Sequence, residues 1–405
     1  MGDNFAVSKD KLLEELFTAY FDARLRKRNK HSQLNFEINS ERLLVELRDD
    51  IFNRRYTVSP GICFIVDEPV KREIFAADFR DRVVHHLLYN YLSPVFENIF
   101  IDDSYSCRKN KGTSYGIDRV YSFIRECSRN YTADCYVLKL DIEGYFMAMD
   151  KGILLRRLEE FVHGSIKANN GRNPFGTDPE LLFYLSETLL SDDAAGHCTV
   201  RGRRSDWDGL PPAKSLFHAR EGCGLPIGNL TSQLFSNVYL HPLDTYVRDT
   251  LGIAYYGRYV DDFILVHPDH DELKAAIAKI SAFLDKELRL RLHPRKIWLQ
   301  HYSKGVNFLG ATVKPHRCYA SHRACKNFVR CVAYWNFRLG KGELLIPELK
   351  KMRSEINSHL GALTRYASYN IRKRILLDRR NLFFKYAYLE KGLKRIILKK
   401  KALTP

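Results

Sequence analysis

Three aspartates carry the chemistry this sequence could do. Asp261 and Asp262 are adjacent and lie between two short runs of aromatic and β-branched residues, 253–256 and 263–266, a pattern that reads as a β-hairpin with acids at its tip. Two unpaired carboxylates between apolar strands repel each other and cost desolvation free energy unless a divalent cation, an arginine or water compensates them. An Asp-Asp pair between strands is by itself ordinary turn chemistry, and it points to a metal site only when a third carboxylate stands on a matching strand. Asp141 is placed to be that third group: Cys135-Tyr136-Val137-Leu138-Lys139-Leu140-Asp141 reads as a strand ending on a carboxylate, followed by a turn into a helix near 151–161. Hard oxygen donors of this kind suit Mg²⁺, which imidazole and thiolate do not. Two Mg²⁺ ions held by three carboxylates suit the in-line attack of a 3′-hydroxyl on an α-phosphorus, with pyrophosphate leaving.

The elements that must position these acids follow from periodicity. Helices are expected at 9–25, 40–52, 81–90, 117–129, 179–190, 229–248 and 271–288, the last with Leu273, Ile277, Ile280, Leu284 and Leu288 on one face. Strands are expected within 56–68, where Pro60-Gly61 makes a turn, and at 71–75, 297–300 and 306–313. A charged break separates the first two helices at 26–30, and 164–220 is a polar, irregular excursion holding one helix. The order strand, helix, excursion, helix, hairpin, helix, strand is a split βαβ plan around a small antiparallel sheet, hence an α/β (α+β) fold. If the Asp141 strand pairs beside the hairpin, all three carboxylates meet at one end of that sheet. Lys71 and Arg72, at the start of a strand, would then face a triphosphate. The glycines between 222 and 228 are wrongly spaced for a dinucleotide loop, and no strand clearly precedes them.

Composition excludes several other classes. Of 405 residues 45% are hydrophobic and 28% charged, as in soluble globular proteins, and no apolar run approaches the ~20 residues needed to span a bilayer. The N-terminal stretch lacks a signal-peptide apolar region, so a cytoplasmic location is expected. Nine scattered cysteines without Cys-x2-Cys spacing read as reduced thiols, and His267-Pro268-Asp269-His270-Asp271 as a turn and helix cap rather than a zinc site. The formal charge of +17 is concentrated at one end. From Lys314 onward there are 23 Lys and Arg against 5 Asp and Glu, leaving 42 bases against 43 acids in everything before. A basic C-terminal module interleaved with aromatics such as Phe328, Tyr334, Trp335, Phe337, Tyr369, Phe383 and Tyr388 suits a nucleic-acid backbone with occasional base stacking.

The motifs together resemble those of reverse transcriptases. In order they are Lys71-Arg72 with Phe79-Arg80-Asp81-Arg82, residues 104–112, Leu140-Asp141-Ile142-Glu143-Gly144-Tyr145-Phe146, Tyr259-Val260-Asp261-Asp262, Lys296 and Phe308-Leu309-Gly310. Within that group the chain is most similar to the reverse transcriptases of diversity-generating retroelements. Where most bacterial members carry Gln-Gly and Ser-Pro, it has Ile227-Gly228 and Ser232-Gln233, as that subfamily does. The resemblance implies a right-hand polymerase with fingers (1–134), a ferredoxin-like palm (135–313, with an insertion at about 164–220) and a helical basic thumb (314–405), and no nuclease segment after the thumb. It implies Asp141, Asp261, Asp262 and Ile142 as metal ligands for two Mg²⁺ ions. Around the incoming nucleotide it implies Lys71, Arg72, Phe146 as a gate against a ribose 2′-OH, Ile227, Gln233 and Lys296. Template and primer would meet Arg108, Tyr259, Arg372, Lys373 and Arg374. The implied role is copying a template RNA from dNTPs into adenine-mutagenised cDNA, with an RNA/cDNA duplex as product and a basic, oligomeric accessory variability protein as partner. A retron-type or phage-defence enzyme is an alternative that the Ile-Gly and Ser-Gln pairs oppose. A non-catalytic RNA-binding protein on the same scaffold is another, and three intact carboxylates oppose it.

Overall fold

Helix starts in this chain are fixed by side-chain caps. Ser8, Asp78, Asp150, Asp178 and Ser321 each accept a hydrogen bond from a backbone N–H of the first turn, opening helices Lys9–Arg24, Phe79–Phe96, Lys151–Ala168, Pro179–Ser191 and His322–Gly340. These elements come from a computed structural model of the protein, which describes residues 8–25, 31–67, 70–378 and 380–402. The charged break expected at 26–30 lies outside the described residues. A short helix, His31–Ile38, follows it and was not expected from periodicity.

The chain divides into two compact units. The first comprises Met1–Gly112, Leu138–Leu265 and Asp271–Trp298, and the second Thr113–Val137, Val266–His270 and Leu299–Pro405. Residues 113–134, expected with the N-terminal fingers, therefore group with the C-terminal part of the chain.

In the first unit, helices Phe79–Phe96 and Leu230–Thr245 pack on each other and are buried around most of their circumference, which makes them its core. Lys9–Arg24 lies against the former, burying Leu12, Leu16, Ala19 and Ala23. Strands Ile62–Val66 and Arg72–Ala76 form an antiparallel hairpin with Cys63 opposite Phe75. Thr199–Val200 adds to it in parallel, so part of the polar excursion is itself a strand. A second sheet places residues 262–265 between Tyr255–Tyr259 and residues 138–141 of the strand that ends on Asp141. The acid-tipped hairpin therefore pairs with the strand that ends on Asp141, as the split βαβ plan requires.

In the second unit the strand expected over 306–313 is two strands. Leu309 and Gly310, both at positive φ (47° and 87°), turn Val306–Phe308 back onto Ala311–Lys314, and Arg317–Ala320 completes an antiparallel meander. Helices His322–Gly340 and Ile346–Leu363 bury Phe328, Val332, Trp335, Met352, Ile356 and Leu360 against each other. A hairpin of Ala387–Leu389 and Ile396–Leu398, within a stretch expected to be helical, closes this core. Of the interleaved aromatics, Phe328, Trp335 and Phe383 are core, whereas Tyr334, Phe337, Tyr369 and Tyr388 are exposed. No helix among the described residues is long and apolar enough to cross a membrane.

Candidate active site

The sheet brings the three aspartates to one place in the first unit. Asp141 ends its strand, and Asp261 and Asp262 occupy the turn into the neighbouring one. Burial and the Asp141 charge push the Asp261 carboxyl up to about 6, against the pull of Lys296 and Arg72. Burial also pushes Asp262 up to about 6, although Lys139 pulls the other way. Two lysines sit on this cluster: Lys296 Nζ is 2.8 Å from Asp141 Oδ1, and Lys139 Nζ is 3.1 Å from Asp262 Oδ2. With the side chains turned onto these ammonium groups, no three ligand-type residues among the described ones are grouped around a single ion position. The other Asp262 oxygen, Oδ1, is buried without a hydrogen-bond partner among the described residues. An orphaned carboxylate oxygen between repelling acids is what a divalent cation would satisfy, so the donor set fits one. Next to the cluster, Ile142 is buried in an antiparallel bridge to Leu292, made by His293 N–H to the Asp141 carbonyl and Glu143 N–H to the Arg291 carbonyl. That register leaves the Ile142 carbonyl out of the pairing.

The turn itself is held under strain. Val260 has φ of 58°, in the left-handed region that a β-branched residue rarely enters. Its N–H donates to Ser106 Oγ and its carbonyl accepts from Arg258 Nη1, both at 3.1 Å. Arg258 is fully buried, with Nε and Nη2 each 2.6 Å from a carboxylate oxygen of the equally buried Asp244.

The nucleotide-side candidates are placed unevenly. Arg72 is exposed and its charge is felt by Asp261. Lys71 points to the other face of its strand and donates to the Asp206 and Asp208 carbonyls at 2.8 and 2.9 Å. Phe146 lies one residue into the short helix Tyr145–Ala148, entered through Gly144 at φ 56°, where a Cβ would come within 2.8 Å of the Ala213 carbonyl oxygen. The Ile227 carbonyl accepts from Phe75 N–H at 2.8 Å, and Gly228 lets the backbone approach so closely that a Cβ would sit 2.6 Å from the Phe75 carbonyl oxygen. Gln233 is the exposed member of an otherwise buried helical turn.

Of the template candidates, Tyr259 is half-buried beside the turn, and Lys373 and Arg374 are exposed. Arg108 and Arg372 are not surface charges. Arg108 is buried on Glu97 and on the Ile101 and Ser104 carbonyls, and Arg372 on Ser368 and the Gly392 and Leu393 carbonyls. Two loops, at 101–104 and 392–393, turn carbonyls onto these guanidinium groups, whose five donors suit that task. Sequence reasoning missed Lys139, Ser106, Asp244 and Arg258. Lys139 was findable, since residues two apart on a strand share a face and it precedes Asp141 by two.

Comparison with known proteins finds a family match over the hairpin that carries Asp261 and Asp262. Residues 206–313 match the family model described as reverse transcriptase (RNA-dependent DNA polymerase). Protein YkfC of Escherichia coli K12 is 23% identical over 307 residues, 66% of this chain and 71% of that protein. The putative COX1/OXI3 intron 2 protein of Saccharomyces cerevisiae is 22% identical over 299 residues, 64% of this chain and 33% of its own length. Among solved structures, apo telomerase from Candida tropicalis superposes with a TM-score of 0.49 at 13% identity, covering 79% of this chain and 56% of that one. The chain thus spans little more than half of that structure. The reverse transcriptase match itself covers residues 206–313, the stretch that holds Asp261 and Asp262.

Proposed function

We propose that this protein copies a template RNA into adenine-mutagenised cDNA as the reverse transcriptase of a diversity-generating retroelement, by two-metal nucleotidyl transfer with Mg²⁺ and dNTPs. The observation that carries the polymerase reading is the meeting of Asp141 with Asp261 and Asp262 on neighbouring strands, the latter two inside the matched reverse transcriptase segment. Asp141, Asp261 and Asp262, with the Ile142 carbonyl, would hold the ions. When bound, they would acidify the primer 3′-hydroxyl and neutralise the triphosphate. Arg72, exposed and close enough for Asp261 to feel its charge, supplies a fixed positive group for the phosphates. Lys296 and Lys139 neutralise the carboxylates while no ion is present and must yield when one arrives. Phe146 is set as the gate against a ribose 2′-OH by the tight Gly144 entry.

Ile227 and Gly228 support the mutagenic subfamily. A glutamine at 227 could hydrogen-bond beside the nascent pair, whereas isoleucine offers only stiff apolar surface. Residues 314–405 act as the thumb, with Lys373 and Arg374 among its backbone contacts, and a basic, oligomeric accessory protein completes the complex in the cytoplasm. Primer extension on an RNA template with dNTPs and Mg²⁺, followed by sequencing of the cDNA, tests both levels. Extension with errors concentrated opposite template adenine is expected. Absence of extension, with and without the candidate accessory protein, refutes the polymerase reading, and uniform errors refute the subfamily.

A further inference from the structure

We propose that Arg258, Asp244 and Ser106 form a positioning brace that sets the aim of Asp261 and Asp262. The segment 103–106 thereby serves catalysis from behind the turn. The proposal rests on the polymerase reading above.

The two aspartates are aimed by the residue that precedes them. Val260 at φ 58° rotates the chain so that the next two side chains leave the turn in directions an extended valine would not give. Such a conformation persists only where the surroundings over-determine it, and strained residues of this kind collect at functional sites. Both backbone groups of Val260 are held, and by different parts of the chain: its N–H by Ser106, its carbonyl by Arg258. Neither holder is free to move. Segment 103–106 runs beside the strand Tyr255–Tyr259, with Arg258 N–H on the Asp103 carbonyl at 2.9 Å, Tyr105 N–H on the Arg258 carbonyl at 2.8 Å, and a parallel bridge of Ser104 to Arg258. That approach needs Gly257, where a Cβ would fall 2.1 Å from the Tyr105 hydroxyl. Arg108 pins the same segment from its far end through the Ser104 carbonyl.

Asp244 completes the brace by fixing the guanidinium. It takes Arg258 Nε and Nη2 and also the Tyr256 hydroxyl, at 2.7 Å, while Nη1 is left to reach Val260. A fully buried ion pair is a poor device for stability, because well-packed apolar residues of similar volume often do as well or better. This one has its arginine three residues before Asp261 and directs a donor onto the strained carbonyl. Orientation of the turn is the task that uses every one of these contacts.

Primer extension by the full chain on an RNA template, with unfolding measured alongside, tests the brace. Ser106→Ala removes the acceptor for Val260 N–H and leaves all three aspartates in place. Its kcat should fall about ten- to a hundredfold, the scale of a misplacement near 1 Å, with dNTP KM and RNA affinity unchanged. Because Arg258→Met alone would strand the Asp244 charge and risk unfolding, the paired variant Arg258→Met/Asp244→Asn, which keeps an acceptor for the Tyr256 hydroxyl, is the second arm. It should unfold as cooperatively as wild type and show a comparable loss of kcat. Wild-type kcat in either folded variant, or a loss confined to KM, overturns the brace. A wild-type protein that extends no primer refutes the polymerase reading instead.

Discussion

Replacing Asp261 by Asn should inactivate the protein and stabilise it at the same time. The Asp261 carboxyl is pushed up from 3.8 to about 6 by burial and by the Asp141 charge. Two units at 1.36 kcal/mol each mean that folding disfavours the ionised form by about 3 kcal/mol. The sign follows from proton binding. Below about pH 4 the carboxyl is neutral in both folded and unfolded chains and costs nothing; as pH rises through about 6 the folded state must give up its proton, and stability falls. Asparagine has no proton to lose. Without divalent ions at pH 7.5 the variant should be more stable than wild type by about 2–3 kcal/mol in urea unfolding, and the gap should close near pH 4. Saturating Mg²⁺ should also narrow it, by stabilising the folded wild type alone. In the same preparation, primer extension should drop about a thousandfold or more, the loss of several kcal/mol of transition-state stabilisation. Equal stability at both pH values would show that the carboxylates are not in electrostatic conflict, and near-normal extension would remove Asp261 from the chemistry.

Ile227→Gln should lower misincorporation, most of all opposite template adenine, by about fivefold if one hydrogen bond of about 1 kcal/mol is gained; identical adenine error rates by cDNA sequencing would place the infidelity elsewhere. Lys373→Gln/Arg374→Gln should flatten the salt dependence of duplex binding by up to about two phosphate contacts' worth without affecting unfolding. Arg372→Gln, by contrast, should destabilise the second unit, since its buried guanidinium holds the Gly392 and Leu393 carbonyls; a thermal melt and a salt titration separate the two effects. Gly228→Ala should lower stability, because φ of 134° and a Cβ 2.6 Å from the Phe75 carbonyl oxygen leave no room for it; an unchanged melting temperature would contradict the close approach.

Local signals made much of this protein legible. Alternation and apolar runs located the Asp141 strand and the acid-tipped hairpin; their pairing was a condition in the sequence, and the sheet meets it with the arrangement that gathers acids at matching ends. Long helices with a single apolar face, such as His270–Leu288, were read for the same reason. The failures are tertiary. Arg108 and Arg372 look like surface charges in sequence, and only the carbonyls that surround them turn them inward. Leu309-Gly310 sits inside an apolar run, so its turn was hidden by the hydrophobicity on either side. Arg258 carried a faint signal as a lone charge in an apolar strand, but its partner Asp244 lies on a different element and nothing in their spacing links them.

The adjacent bases Lys71 and Arg72 show how geometry divides a motif that sequence presents as a unit. On a strand, neighbours point to opposite faces, so two consecutive bases cannot both reach one triphosphate. The structure gives the two bases different surroundings. Lys71 shares a face with Glu73, and both are directed at the polar excursion. Lys71 binds the Asp206 and Asp208 carbonyls, while the buried Glu73 accepts from Trp207 Nε1, Ser215 Oγ and the Leu216 N–H at 2.7, 2.8 and 2.6 Å. Arg72, on the opposite face, is left exposed where Asp261 feels its charge. Strand Arg72–Ala76 also receives the Ile227 carbonyl on Phe75 N–H, so one strand anchors both the excursion and the loop that carries Ile227. Loss of the Lys71 ammonium should therefore loosen residues 206–216, and loss of the Arg72 guanidinium should weaken nucleotide binding. Protease protection of the excursion and the dNTP KM report the two separately. A Lys71→Ala variant whose only defect is a raised dNTP KM would return both bases to the nucleotide.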